Sequence, residues 1–149
     1  MRELSIFKRV SFFAFWAIFI SCSTTTDINN EVAVMKDVQG AWVGSENTGE
    51  MYRHIKLSVD KDSFKGWVQT SDSNAEPVWA DQPNEEGTIS LSSLQEDPGN
   101  KIKFRKFTFT CSGRCCGDKS LSLEAMSKLI TYEDGKGLTL AGLTKMARE

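Results

Sequence analysis

An all-β fold, an antiparallel meander of about eight strands, is what this sequence predicts, and three observations predict it. Apolar residues recur at every second position from Gln39 onward, clusters of Asn, Asp, Gly and Pro interrupt them at short intervals, and no crossover helix intervenes. A meander of this kind prefers to close into a barrel, because closure removes exposed strand edges. A β-sandwich is the alternative architecture.

The elements follow in chain order. Gln39 to Glu46 carries Trp42 and Val43 and ends at the turn signal Asn47-Thr48-Gly49. Met51 to Val59 alternates, with Met51, Ile55, Leu57 and Val59 on one face and Tyr52, His54, Lys56 and Ser58 on the other; Arg53 is the exception on the apolar side. Asp60-Lys61-Asp62-Ser63 turns the chain into Phe64 to Thr70, and Ser71-Asp72-Ser73-Asn74 turns it again before Val78-Trp79. Thr88 to Leu94 follows Pro83-Asn84-Glu85-Glu86-Gly87, and Lys101 to Cys111 follows Asp97-Pro98-Gly99-Asn100. That long strand changes phase: Ile102 and Phe104 share one face, Phe107, Phe109 and Cys111 the other, so a bulge near Arg105-Lys106 is expected to restore one buried face. Leu121 to Ala125, Lys128 to Tyr132 and Leu138 to Leu143 complete the set, with Ala125-Met126-Ser127-Lys128 open to either a helical turn or a bulge.

The chain has 149 residues, with 18 Lys and Arg against 20 Asp and Glu and 40% hydrophobic residues, which suits one domain and excludes two separate cores. A net charge of -2 lacks the clustered basic excess that nucleic acid demands, and a normal apolar content argues against wholesale disorder. Six of the 15 aromatic residues, however, crowd into the first 19 positions. Arg2, Lys8 and Arg9 precede a run from Val10 to Ile20 that is apolar except at Ser11, the layout of a secretory signal. As a helix that run spans about 16 Å, well short of the roughly 30 Å hydrocarbon core of a membrane.

Phe19-Ile20-Ser21-Cys22, directly after this run, resembles the lipobox of bacterial lipoproteins, with Phe19 where that family usually has an aliphatic residue. The resemblance implies a signal peptide over 1–21, cleavage before Cys22, and acyl chains such as palmitate on that cysteine. An ordinary cleaved signal is the alternative. Two or three chains, each worth about 0.8 kcal/mol per buried methylene, make a firm anchor. The exported part then carries 15 Lys and Arg against 19 Asp and Glu, so an anionic membrane surface repels it and the acyl chains provide the attachment. Residues 22–34 are expected to be a lipidated tether and residues 35–149 the barrel domain, exported and anchored to a bacterial membrane, the outer membrane being favoured, facing the periplasm or the cell surface.

Gly40-Ala41-Trp42 resembles the Gly-x-Trp that begins lipocalin-like, or calycin, barrels. In that superfamily the Trp plugs the closed end and an Arg near the last strand packs over its ring; Arg148 stands where that Arg would fall, with Lys145 as the other candidate partner of Trp42. With so few residues after its last expected strand, no C-terminal helix of the full lipocalin kind is expected, and the sequence resembles more the small lipocalin-like domains of bacterial lipoproteins.

Cys111-Ser112-Gly113-Arg114-Cys115-Cys116 lies between two strand-like runs. In an oxidising compartment pairing is the default, and Cys111 with Cys115 or Cys111 with Cys116 satisfies the short Cα separation a disulfide requires. An odd thiol remains for a mixed disulfide, a dimer bond or burial. A soft-metal site of three thiolates is the competing reading, with Arg114 favouring the thiolate forms.

The sole histidine, His54, is expected on a solvated strand face with no serine nucleophile placed beside it, and Glu85-Glu86 and Glu96-Asp97 read as solvated turn residues. No catalytic constellation, cofactor motif or phosphate-cradling loop is present, so the chain is not read as an enzyme. The leading expectation is a barrel holding a small apolar ligand, with Trp67, Trp79, Phe104 and Phe107 as cavity liners. The rivals are a protein-interaction or inhibitor module of the envelope, and metal or redox handling by the cysteines.

Overall fold

The computed structural model describes residues 25–127, 129–141 and 144–149; the expected signal peptide over 1–21 and Cys22 lie outside them. A short helix, α1 (Glu31–Asp37), precedes the strands β1 (Gly40–Asn47), β2 (Tyr52–Asp60), β3 (Ser63–Ser71), β4 (Glu85–Leu91), β5 (Gln95–Glu96), β6 (Lys103–Cys111), β7 (Ile130–Glu133), β8 (Gly137–Leu140), β9 (Thr144–Lys145) and β10 (Ala147–Arg148). Every pairing is antiparallel, in the order β10-β1-β2-β3-β4-β6-β7-β8-β9, with β5 also on β6. Only Met146 separates β9 from β10, so one bent strand bridges β8 to β1 and brings the sheet round into a nearly closed barrel. Because β4 and β5 pair with the same strand, the ten segments occupy eight positions, which sets the sandwich aside.

Alternation places one face of each strand inside. Ile55, Leu57 and Val59 of β2, Phe64 and Val68 of β3, Ile89 of β4, Phe107 and Phe109 of β6, and Leu138 and Leu140 of β8 are all buried. Phe64 meets Phe109 edge to face with ring centroids 4.9 Å apart, the arrangement that aromatic quadrupoles favour.

Both ends of this interior are filled. At the end where the chain enters β1, Ile28, Val34 and Val38 join the core. Residues 28–34, expected from the sequence to be part of a tether, are instead folded against the barrel. Asn30 caps α1 by accepting from Ala33 N (3.1 Å), Glu31 lies in the first turn and Lys36 in the last, and Val34 is buried against the barrel. At the other end the expected strand Leu121 to Ala125 is instead a 3-10 turn, Lys119–Leu121, followed by a tight turn that inserts Leu123 and Met126 into the core. The buried carboxylate of Glu85 fixes this turn by accepting from Leu123 N (2.8 Å) and Glu124 N (3.2 Å). Gly66 on β3 makes room for it, since a Cβ there would lie 2.3 Å from Leu123 Cδ1.

Two further expectations are corrected. Val78-Trp79 forms no strand and belongs to the segment between β3 and β4. The bulge lies not in β6 but across from it: Leu91 pairs with Phe107 and Gln95 with Phe104, so Ser92, Ser93 and Leu94 stand opposite Arg105 and Lys106. Phe104 consequently stays on the outer face and Arg105 turns inward. There its guanidinium donates to Ile28 O (2.9 Å), Asn29 O (3.2 Å) and Ser92 O (2.9 Å), strapping the N-terminal segment to the barrel.

Candidate functional site

The cysteine loop is built on β6 and β4 together. Cys111 ends β6 opposite Gly87 and is disulfide-bonded to Cys115 across a Cα separation of 5.7 Å. Of the two pairings open to the sequence, this is the one formed. Glu86 of β4 then holds the loop from below: its N–H donates to Arg114 O (2.8 Å), its carbonyl accepts from Ser112 N and Gly113 N (both 3.2 Å), and its Oε1 accepts from Arg114 N (3.3 Å). The absence of a side chain at Gly113 lets the loop lie close against Glu86, since a Cβ there would stand 2.8 Å from the Glu86 side chain. Glu85 and Glu86 are therefore not the solvated turn pair expected; one anchors the plug turn and the other the cysteine loop. Cys116 is a free, half-buried thiol whose Sγ lies 3.2 Å from Asp118 O. Bonding of Cys111 to Cys115 removes two of the three thiolates a soft-metal site would use, and no cluster of three metal-ligating side chains occurs among the described residues.

Asp118 begins the segment that follows. Its carboxylate accepts from the Ser120 hydroxyl (2.7 Å) and Ser120 N (2.9 Å), and these bonds hold its pKa below the ordinary value. In an antiparallel meander β1, β3, β6 and β8 run the same way, so the cysteine loop, leaving β6, projects at the end of the barrel opposite α1.

At the α1 end, Arg148 packs over Trp42 with its guanidinium carbon 4.5 Å from the ring centroid, while Trp42 Nε1 donates to Val38 O (2.8 Å). The same guanidinium donates to Gln39 O and Asp37 O and lies 3.6 Å from the Asp37 carboxylate. Gly40 has φ +104, a left-handed conformation open to glycine, and a Cβ there would approach Arg148 Nη1 at 3.7 Å. Lys145, the other candidate partner, is exposed on β9.

The four residues expected to line an internal cavity do not converge. Phe107 alone lies inside, packed in the core. Trp67 faces outward, donating to Ala80 O (2.9 Å) beneath Lys56, and Trp79 donates to Glu76 Oε1 (3.1 Å) outside the barrel. Phe104 lies on the outer face beside Lys106. Trp67 and Gln69, which donates to Val78 O (3.2 Å), pin the β3–β4 segment against the barrel wall.

That segment also covers His54. Far from being solvated, His54 is 2% exposed, with Nε2 2.9 Å from Ser71 Oγ and 3.0 Å from Ser73 O. Sequence spacing gave no sign of this serine. Its hydroxyl donates to Ser73 O (2.7 Å), so the pair works as a loop anchor and not as an activated nucleophile. At the α1 end, Tyr132 donates to the Asp37 carboxylate, and burial, reinforced by that bond, pushes its pKa up to about 12. Comparison with protein-family models, with curated proteins and with solved structures finds no match for the chain.

Proposed function

We propose that the protein is a bacterial envelope lipoprotein, acylated at Cys22, whose lipocalin-like barrel is a rigid protein-interaction module. The observation that carries this reading is the cysteine loop, pinned by the Cys111–Cys115 bond and by four hydrogen bonds to Glu86. A preorganised loop loses little conformational entropy on binding, which is the property a protein-contacting element needs. Its position supports the same reading. The chain emerges from the proposed anchor at Thr25 beside α1, so attachment at Cys22 holds the α1 end toward the lipid and directs the loop into the envelope space. An apolar ligand inside the barrel is the less favoured reading, because Phe64, Phe107, Phe109, Leu123 and Met146 already occupy the interior.

The test is photocrosslinking in cells, with a benzophenone amino acid at Arg114 and, as control, at Asp134 in the turn at the opposite end. A protein adduct formed from position 114, absent from 134 and lost in the Cys111→Ser/Cys115→Ser variant, is expected. Equal adducts from both positions, or none, would overturn the interaction reading. The anchor is tested separately: Cys22→Ala is expected to release the protein from the membrane fraction and change its electrophoretic mobility.

A further inference from the structure

The cysteine loop holds a disulfide and a thiol side by side, and its hydrogen bonds divide it into a fixed part and a loose one. All four bonds made by Glu86 go to residues 112–114. Among the described residues no backbone hydrogen bond ties residues 115–117 to the barrel. Fixed structure resumes at Asp118, which caps the 3-10 turn by accepting from Ser120 N. Gly117, exposed and with nothing within 4 Å of a Cβ position, is the joint between the loose part and that turn.

That division leaves the partner of Cys111 open to exchange. Cys115, the present partner, is exposed, and Cys116 beside it is a half-buried thiol turned toward Asp118 O. Bringing Cys116 into the place of Cys115 is a shift of one peptide step, about 3.8 Å. The residues held by Glu86 lie inside the ring closed by either partner, so none of those four bonds has to break. The new ring is one residue larger, and closure entropy changes only slowly with loop length. Attack on Cys115 itself is disfavoured, since neighbouring Cα atoms stand about 3.8 Å apart and a disulfide needs about 4.4–6.8 Å.

We infer that the loop disulfide is exchangeable, with Cys116 as the attacking thiol and Cys111 as the sulfur attacked. The Cys116 thiolate bonds to Cys111 Sγ as the Cys111–Cys115 bond breaks. The electron pair of the broken bond leaves on Cys115 Sγ, which takes up the proton that Cys116 released to water. One disulfide and one thiol stand on each side of the step, so no outside oxidant or reductant takes part. The free thiol thereby passes from a half-buried position to an exposed one, and the loop has a shielded and a presented form. The exchange needs no partner and does not depend on the protein-contact reading of the loop.

The experiment labels the full chain, isolated without reductant in an uncharged detergent, with a bulky maleimide at pH 8 over several hours, the timescale of uncatalysed disulfide rearrangement. Digestion in acid, where thiolate exchange stops, and fragmentation mass spectrometry then locate both the label and the bond. The bulky reagent meets the exposed position more readily, so about a tenth of the label or more is expected on Cys115, in chains that carry a Cys111–Cys116 bond. That share is expected not to vary with protein concentration, as an exchange within one chain requires. Cys116→Ser is expected to take no label in the loop. Cys115→Ser is expected to close the Cys111–Cys116 bond and to keep the wild-type urea midpoint, because the loop lies outside the core. Label confined to Cys116, no label in the loop, a Cys115 share that rises with protein concentration, or two free loop thiols in Cys115→Ser would overturn the inference. The wild-type labelling decides without any variant having to fold.

Discussion

The guanidinium of Arg148 lies over the indole of Trp42, 4.5 Å from its centroid, and joins the last strand to the first at the point where the barrel closes. The contact is one of four that Arg148 makes at once, the others being its bonds to the carbonyls of Asp37 and Gln39 at the end of α1 and its approach to the Asp37 carboxylate. Its side chain is 54% exposed, so the cation–π contribution belongs at the low end, about 0.5–1 kcal/mol. With the two hydrogen bonds added, Arg148→Ala is expected to destabilise by about 2 kcal/mol. Arg148→Lys, which keeps the charge and loses the planar fork, is expected to fall between the two. Urea unfolding midpoints measure this, and a lysine variant as stable as the wild type would show that the fork is not used.

Arg105 performs the corresponding task from inside. Because the bulge lies in the partner strand, the guanidinium is buried and divided among Ile28, Asn29 and Ser92 carbonyls. Arg105→Met fills similar space but leaves the buried Ile28 carbonyl and the part-buried carbonyls of Asn29 and Ser92 without their donor, for an expected loss of about 2–3 kcal/mol. Amide hydrogen exchange locates the damage: the α1 amides are expected to lose protection before those of β2 and β3. Uniform acceleration across the barrel would mean that Arg105 supports the fold as a whole and not the N-terminal strap.

What the sequence makes legible is whatever depends on one strand and its own two faces. Ile55, Leu57 and Val59 alternate because a barrel buries every second side chain, and the pattern is visible without knowing the neighbours. The short Cα separation a disulfide requires narrows the pairing of Cys111 to Cys115 or Cys116 before any neighbour is known. What escapes is set by residues distant in sequence. His54 looks solvated until the segment carrying Ser73 and Asn74 folds over it. Leu121, Leu123 and Ala125 alternate like a strand, yet Leu123 is drawn inward by the carboxylate of Glu85 and the vacancy at Gly66. The helix α1 has seven residues, too few to develop a periodic stripe, and its only local signal is the cap at Asn30. Trp67 and Trp79 read in the sequence as cavity liners, but their indole N–H groups, each needing an acceptor, find one in the β3–β4 segment on the outer face.

The fit between Gly66 and Leu123 can be measured as a coupling. A Cβ at 66 would stand 2.3 Å from Leu123 Cδ1, so Gly66→Ala is expected to cost about 1–3 kcal/mol by overpacking. Leu123→Ala empties a fully buried site, with an expected cost of about 2–5 kcal/mol. In the double variant the new methyl enters the space the leucine left, and the combined loss is expected to be smaller than the sum by at least about 1 kcal/mol. Strict additivity in the four urea curves would mean that the two side chains do not meet.

Tyr132 gives the fold a signature at high pH. Burial, and then the hydrogen bond to Asp37, raise its pKa from 10.0 to about 12. A group whose folded pKa lies above its unfolded value contributes its full stability below the unfolded value and loses it as pH rises. Below pH 10 both states keep the proton; between pH 10 and about 12 the unfolded chain releases it first, and stability falls. Tyr132→Phe removes the ionisable group together with the bond to Asp37, so at neutral pH the variant is expected to be less stable by about 1 kcal/mol. Its deficit is expected to shrink steadily from pH 10 upward, because only the wild type carries this proton linkage. Urea midpoints of the two proteins at pH 8, 10 and 11 read the difference directly, with lysine titration common to both. A constant difference across that range would mean that the Tyr132 proton is no better held in the folded barrel than in the unfolded chain.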